Sequence, residues 1–297
     1  MKKVISLIFI TALMALVACG NTDDQSNNED NGETDTNDVS DQTIVFGQTS
    51  WTSTEAPTQI AKQILEEKGY NVEISLLSQP VIFEGLQSEE VDFFMDAWLP
   101  YTEEELWNEY QDDLQQVATS YEEVPLGWVV PEYVEENSIE EIKEQADKYG
   151  NEVYTISPGA GIVSISEQVM TDYNLDNYEL VPSSETAMMG VLDEKIKKEE
   201  PVIITGWRPH SMFQKYDLKF LEEPKENFQY DNVYVLSYKG LEDKYPEAYE
   251  ILSQWSIEVD DLEKMMHDYE NNDVPFEESA AEWIEKHRDQ VDEMLGK

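Results

Sequence analysis

Two segments of the chain share a local frame that restricts what it can fold into. Asp92-Phe93-Phe94-Met95-Asp96-Ala97-Trp98-Leu99-Pro100 and Val202-Ile203-Ile204-Thr205-Gly206-Trp207-Arg208-Pro209 each carry an apolar run into a Trp, with Pro two residues later. Strands whose apolar residues run on without polar alternation are covered on both faces, as in mostly parallel α/β sheets. Pro has no N–H to give a ladder, so it bars each segment from continuing as a central strand. Both rings are thereby set near strand ends, where open α/β sheets keep their ligand crevices. Two ordinary core tryptophans would leave the same pattern, because Trp is highly buried on average.

The flanking sequence repeats the same element order. Strands are predicted at 43–47, 72–77 and 91–95, with a helix over 55–67 ended by Gly69 and a short helix opened by Pro80. After a crossing strand at 126–130, the box Ser138-Ile139-Glu140-Glu141 starts a helix. Strands at 153–156, 178–181 and 201–205 then alternate with helices over 162–170 and 185–197. A strand at 233–236 and three helices, 246–254, 259–269 and 277–295, close the chain and are expected to pack on the first half. The expectation is an α/β protein of two similar lobes: 43–125 plus 230–297 as lobe I and 126–229 as lobe II. The crossovers fall near 122–127 and 221–232, with a ligand cleft between the lobes.

The first eighteen residues have the layout of a secretory signal: a basic start and an apolar stretch too short to span a bilayer comfortably. Cys19 is the only cysteine, so no intrachain disulfide or cysteine-based metal cluster can form. Leu16-Val17-Ala18-Cys19 resembles a bacterial lipobox, which implies that Cys19 is lipidated and holds the protein at a membrane. Residues 19–42 are polar and acidic, with Val39 the only larger apolar residue beyond the cysteine, and read as a disordered tether. The formal net charge is −46. That acidity argues against nucleic acid, whose phosphates need neutralising, and against anionic lipid, so membrane contact should come through the anchor alone. A solvated acidic surface suits an exposed and salty setting.

Little in the chain looks like catalytic apparatus. Of the three histidines, His267 and His287 fall on predicted helices as solvated residues, whereas His210 stands three residues after Trp207. No histidine pair has zinc-ligand spacing, and no acidic ladder suggests calcium. Ser157-Pro158-Gly159-Ala160-Gly161 lacks the dinucleotide fingerprint. It is either a helix N-terminus aimed at an anion or the cleft wall, or a tight turn. No nucleophile elbow surrounds a serine. The expectation is a binding protein, not an enzyme, without metal or cofactor.

Aromatic faces attract a quaternary ammonium through their quadrupole without needing an N–H from it. Trp98 and Trp207 are candidates, and Trp255, in a turn between two predicted helices, can face the cleft. Trp51 lies in a loop leading to a helix N-terminus whose free N–H groups could take the carboxylate of a zwitterion. Trp107 and Trp283 fall within helices and read as packing residues.

The chain is similar to the glycine betaine-binding proteins of osmoprotectant ABC importers, the OpuAC/ProX-like lipoproteins of Gram-positive bacteria. The resemblance spans about 43–295. It is carried by Asp96-Ala97-Trp98-Leu99-Pro100, Gly127-Trp128-Val129-Val130-Pro131, Ser157-Pro158-Gly159-Ala160-Gly161, Thr205-Gly206-Trp207-Arg208-Pro209-His210 and Pro246-Glu247-Ala248-Tyr249. It implies a type II periplasmic-binding fold that closes on its ligand and delivers it to a membrane permease driven by a cytoplasmic ATPase. The lipoprotein itself would be monomeric and sit on the outer face of the cell membrane, in a bacterium that could be salt-tolerant. By the resemblance, the cage falls on Trp98, Trp207 and Trp255, and the carboxylate-binding amides on Ser53 and Thr54. His210 is expected to orient the Trp207 loop, and Arg208 either to attract the carboxylate or to point to solvent. A choline or carnitine receptor is the close alternative. A glycan-binding protein or hydrolase with Trp platforms is the alternative from another class.

Overall fold

The computed structural model describes residues 39–297. Ten strands order this part of the chain: β1 (Thr43–Gln48), β2 (Asn71–Leu76), β3 (Phe93–Leu99), β4 (Leu114–Val124), β5 (Leu126–Pro131), β6 (Glu152–Thr155), β7 (Glu179–Pro182), β8 (Ile204–Trp207), β9 (Leu218–Phe220) and β10 (Asp231–Tyr238). They form two five-stranded sheets, β2-β1-β3-β10-β4 and β7-β6-β8-β5-β9. The chain crosses between the sheets at Pro125 and again between Phe220 and Asp231, so two strands frame each passage.

Every residue of β3, β5 and β8 is buried, which is why these strands read as apolar runs without alternation. The sheets are mixed, however, rather than mostly parallel. β1 pairs in parallel with β2 and β3, and β6 with β7 and β8. β10 runs antiparallel to β3 and β4, and β5 to β8 and β9. The antiparallel pairs arise where the chain enters or leaves each sheet through the crossovers. β4, with its Gln and Glu residues, and the three-residue β9 lack a strand signal of their own, and pairing to β10 and β5 holds them.

Helices cover the sheets. Thr52–Lys68 ends where expected, at Gly69 in a left-handed conformation (φ 117°), whose N–H and that of Tyr70 both return to the Leu65 carbonyl. It begins earlier than its first charged residue suggests, because Trp51 takes the N-cap position. Gln79–Gln87, Gly161–Asp172 and Glu185–Lys197 occupy the expected places. The last expected helix is broken at His287 into Phe276–Lys286 and Arg288–Met294. The helices Thr52–Lys68 and Phe276–Lys286 pack together, so the C-terminal segment covers the first sheet.

The start of the folded body is earlier than the tether reading placed it. Val39 is buried in the main core, Gln42 N–H bonds its carbonyl, and the Asn71 side chain donates to the Ser40 carbonyl at 2.7 Å. The expected signal, Cys19 and the tether up to residue 38 lie outside the described residues. Among the described residues no helix is long and apolar enough to cross a membrane.

Candidate ligand-binding site

Trp98 is the next-to-last residue of β3 rather than a loop residue beyond it, and a buried carboxylate fixes its ring. Asp96, two residues earlier on the same face of the strand, accepts the indole N–H at 2.9 Å and the Tyr121 hydroxyl at 3.4 Å on Oδ1. Its Oδ2 accepts the hydroxyls of Ser53 and Thr54, each at 2.8 Å. Burial pushes Asp96 above the ordinary carboxylate range, against the pull of these hydrogen bonds. The carboxylate thus ties the ring of β3 to the first turn of Thr52–Lys68.

Trp207 ends β8, and His210 sets its ring edge-on, with centroids 4.9 Å apart and planes at 84°. His210 is fully buried; its Nδ1 accepts the Met212 N–H at 3.0 Å, so in the neutral ring the proton sits on Nε2. That nitrogen faces Glu185 Oε1 at 2.8 Å. Glu185 in turn accepts from Thr52, from the backbone N–H at 2.9 Å and the hydroxyl at 2.7 Å. These bonds join the helix beneath Trp51 to the half that carries Trp207. The neighbouring Glu270 accepts the Ser211 hydroxyl at 2.5 Å. Glu185, His210 and Glu270 bring one ligating atom each within 4.8 Å of one another, a grouping invisible to local spacing because it joins distant segments. Its donors are committed elsewhere: the neutral His210 has no lone pair on Nε2, and both Glu185 oxygens accept from Thr52.

A cavity lies where the two halves meet, and Trp51, Trp98 and Trp207 line it. Leu126 and Ile156 add apolar wall. The third tryptophan that lines it is therefore Trp51 and not Trp255. Trp255 is 2% exposed, donates its indole N–H to Ser120 of β4 at 2.9 Å and packs on Trp283 with centroids 5.8 Å apart. Its turn faces β4, since Ile257 N–H bonds the Ser120 carbonyl, so it belongs to the core between β4 and the C-terminal helices.

The other expected residues divide between the cavity and its surroundings. Ser53 lines the cavity but spends its hydroxyl on Asp96. The Thr54 amide, expected to meet a carboxylate, bonds the Trp51 carbonyl at 3.1 Å as part of the first helical turn, and Thr54 does not line the cavity. Arg208 also lies outside it: the guanidinium stacks on Phe213, 4.5 Å from the ring centroid, and faces Glu263 at 3.7 Å with its side chain 44% exposed.

The polar end of the cavity is built from the helix N-terminus after Gly159, one of the two alternatives its sequence offers, and from Gln79 and Glu103, which no motif marks. Ala160, Gly161 and Ile162, at the N-terminus of the twelve-residue helix Gly161–Asp172, line the wall. The Gly161 N–H reaches Gln79 Oε1 at 3.3 Å, and Gln79 Nε2 donates to Glu103 Oε1. Gly161 also packs directly on the opposite half: a Cβ there would lie 2.0 Å from the Thr102 carbonyl oxygen. Asp231, at the start of β10, holds that turn by accepting the N–H groups of Tyr101 and Thr102 at 2.8 and 3.0 Å. The glycine-rich segment was the available signal for this wall, as a helix N-terminus with an anion-binding option. Gln79 and Glu103 carry no motif.

Residues 42–286 match the family described as the substrate-binding domain of ABC-type glycine betaine transport systems. The chain is 35% identical over 152 residues to the glycine betaine/carnitine transport binding protein GbuC of Listeria monocytogenes, an alignment that covers 50% of each chain. It therefore spans about half the length of that curated relative. Among solved structures, lactococcal OpuAC in its closed form with glycine betaine is similar at 34% identity and a TM-score of 0.81, over 86% of this chain and 99% of that one. The glycine/betaine/L-proline-binding protein ProX of Borrelia burgdorferi is similar at 29% identity and a TM-score of 0.82, over the same shares. A choline-binding protein in complex with choline shares the fold at 23% identity.

Proposed function

Because the chain belongs to the family of substrate-binding domains of ABC-type glycine betaine transport systems, we propose that its cavity captures glycine betaine or a related betaine for import. The observation that carries this reading is the convergence of three indoles and a helix N-terminus on one small cavity. Trp51, Trp98 and Trp207 offer their negative faces to the trimethylammonium group, each contact contributing about 0.5–2 kcal/mol according to how dry the site is. At the start of Gly161–Asp172 the Gly161 N–H bonds Gln79 and the Val163 N–H bonds the Ala160 carbonyl, so the pull on a carboxylate comes from the Ile162 N–H and the helix dipole. The cation and anion of a betaine would thus be met at opposite ends of the cavity. Asp96 supports the cage indirectly, by holding the Trp98 ring.

Capture draws the halves together, since Thr102 and Gly161 close one side of the cavity from different halves. The closed form would then be received by a permease with its ATPase. Cys19 would be the lipid attachment point that keeps a monomeric protein on the outer face of the membrane. This role calls for no catalysis.

Tryptophan fluorescence titrated with glycine betaine, proline betaine, choline, carnitine and maltose tests the reading. A saturable change with the betaines is expected. A response to maltose alone, or to none of the five, would overturn it.

A further inference from the structure

Among the described residues Glu103 is the one acidic residue lining the Trp cavity, and its chemistry there is not what a cation cage needs. The residue is 2% exposed; Oε1 accepts from Gln79, while the buried Oε2 has no hydrogen-bond partner. Through Gln79 it is joined to the Gly161 N–H, so the carboxyl group stands at the helix N-terminal end of the cavity. Two readings of a carboxyl group at that place differ in sign. Ionised, it would repel a ligand carboxylate and accept from a ligand hydroxyl; neutral, it would donate to a ligand carboxylate.

The surroundings decide between them. The charged groups facing Glu103 are Asp96 on β3 and Asp231 on β10, both acidic. The helices on either side contribute the uncharged Gln79 and the Gly161 N–H. Burial first holds Glu103 well above the ordinary glutamate range, against the pull of a backbone N–H at Trp98, and these two carboxylates add to the rise.

We propose that Glu103 is the residue that sets ligand class, acting as a neutral acid whose Oε2–H donates to the carboxylate of a zwitterionic ligand. This rests on the betaine reading of the cavity and adds a proton to it. A Glu103 that is ionised when the cleft is open takes up one proton from solvent as the cleft closes on the ligand. Affinity for a betaine then falls by up to about tenfold per pH unit, between the open-form value of Glu103 and its raised closed-form value. A hydroxyl-bearing cation without a carboxylate gains nothing from that proton.

Calorimetric titration of the full chain with glycine betaine and with choline, from pH 5 to pH 9 in buffers of different ionisation enthalpy, tests this. For the wild type, betaine affinity should fall as pH rises, with proton uptake approaching one per ligand. Glu103→Gln keeps an N–H donor but cannot titrate, so its profile should be flat, at an affinity between the wild-type extremes. Betaine binding by the wild type with a flat profile and no proton uptake would overturn the role of Glu103 and leave the cavity reading intact. So would a Glu103→Gln profile as steep as the wild type. Choline binding that strengthens with pH and is lost in Glu103→Gln would show an ionised acceptor and overturn the proposal. Binding of neither ligand at any pH would remove the cavity reading and this proposal with it.

Discussion

Gly161→Ala separates closure of the cleft from stability of the fold. A Cβ at this position would lie 2.0 Å from the Thr102 carbonyl oxygen and 2.8 Å from both its carbonyl carbon and Cγ2, while real Cβ contacts essentially never fall under 3.0 Å. The nearest atom is backbone, so the helix and the Thr102 turn must part by at least 1.0 Å (3.0 minus 2.0). A hydrogen bond from the helix N-terminus to a ligand carboxylate at about 2.9 Å would stretch to about 3.9 Å, beyond useful range. Losing one bond to a charged acceptor costs about 1.5–3 kcal/mol, or about 10- to 150-fold in Kd. The clash exists only when the halves meet. In the open protein the same change removes glycine's freedom from the unfolded chain, which favours folding by about 0.4–1 kcal/mol. Fluorescence titration with glycine betaine should therefore show weakened binding, while the melting temperature of the ligand-free protein holds or rises. Binding within twofold of wild type would refute the closure argument, and a fall in both quantities would mean that the substitution had damaged the helix itself.

Replacing Trp51, Trp98 or Trp207 by Ala should each weaken glycine betaine binding by about 1–2 kcal/mol, measured by calorimetry; undiminished affinity in all three would sink the cage. Trp255→Phe, by contrast, loses the bond to Ser120 and should lower stability by about 0.5–1.5 kcal/mol in urea unfolding without weakening binding. Burial raises Asp92, Asp96 and Asp231, so between their unfolded and folded values the native protein binds more protons than the unfolded chain. Stability therefore falls as pH rises through that window. The ligand-free protein should melt at a higher temperature at pH 5 than at pH 8. Added salt should narrow the gap by screening the −46 net charge. A melting temperature higher at pH 8 in low salt would contradict this.

The two-sheet α/β architecture was legible because its central strands are apolar without alternation, and two of the three cavity indoles because they end such strands. Trp255 misled for a physical reason. A Trp in an interhelical turn can face either the cleft or the sheet edge, and the Ser120 hydroxyl that claims its N–H lies 135 residues away in sequence. Trp51 was noticed for its helix N-terminus but not as the third ring, since only the packing of Thr52–Lys68 on β3 turns it toward the cavity. Ser53 and Thr54, expected to offer their amides to a carboxylate, stand in the first turn of Thr52–Lys68, where their hydroxyls serve Asp96 and the Thr54 amide belongs to the helical turn. Glu103 had no chance of standing out among 65 acidic residues. What distinguishes it is burial and an unpaired oxygen, which no local pattern records.

The bonds from Thr52 to Glu185 lie away from the cavity, and no cavity-lining atom takes part in them. Whatever they contribute to holding the halves together is contributed equally whichever molecule occupies the cage. They act as a constant added to every binding free energy, raising or lowering the closed fraction of the empty protein and the apparent affinity for all ligands by one common factor. Discrimination among ligands cannot come from such a term. On the betaine reading, affinity and selectivity sit on different residues and can drift apart: a change at Thr52 would retune how much solute is needed, while changes at the rings, Glu103 or Gly161 would retune which solute it is.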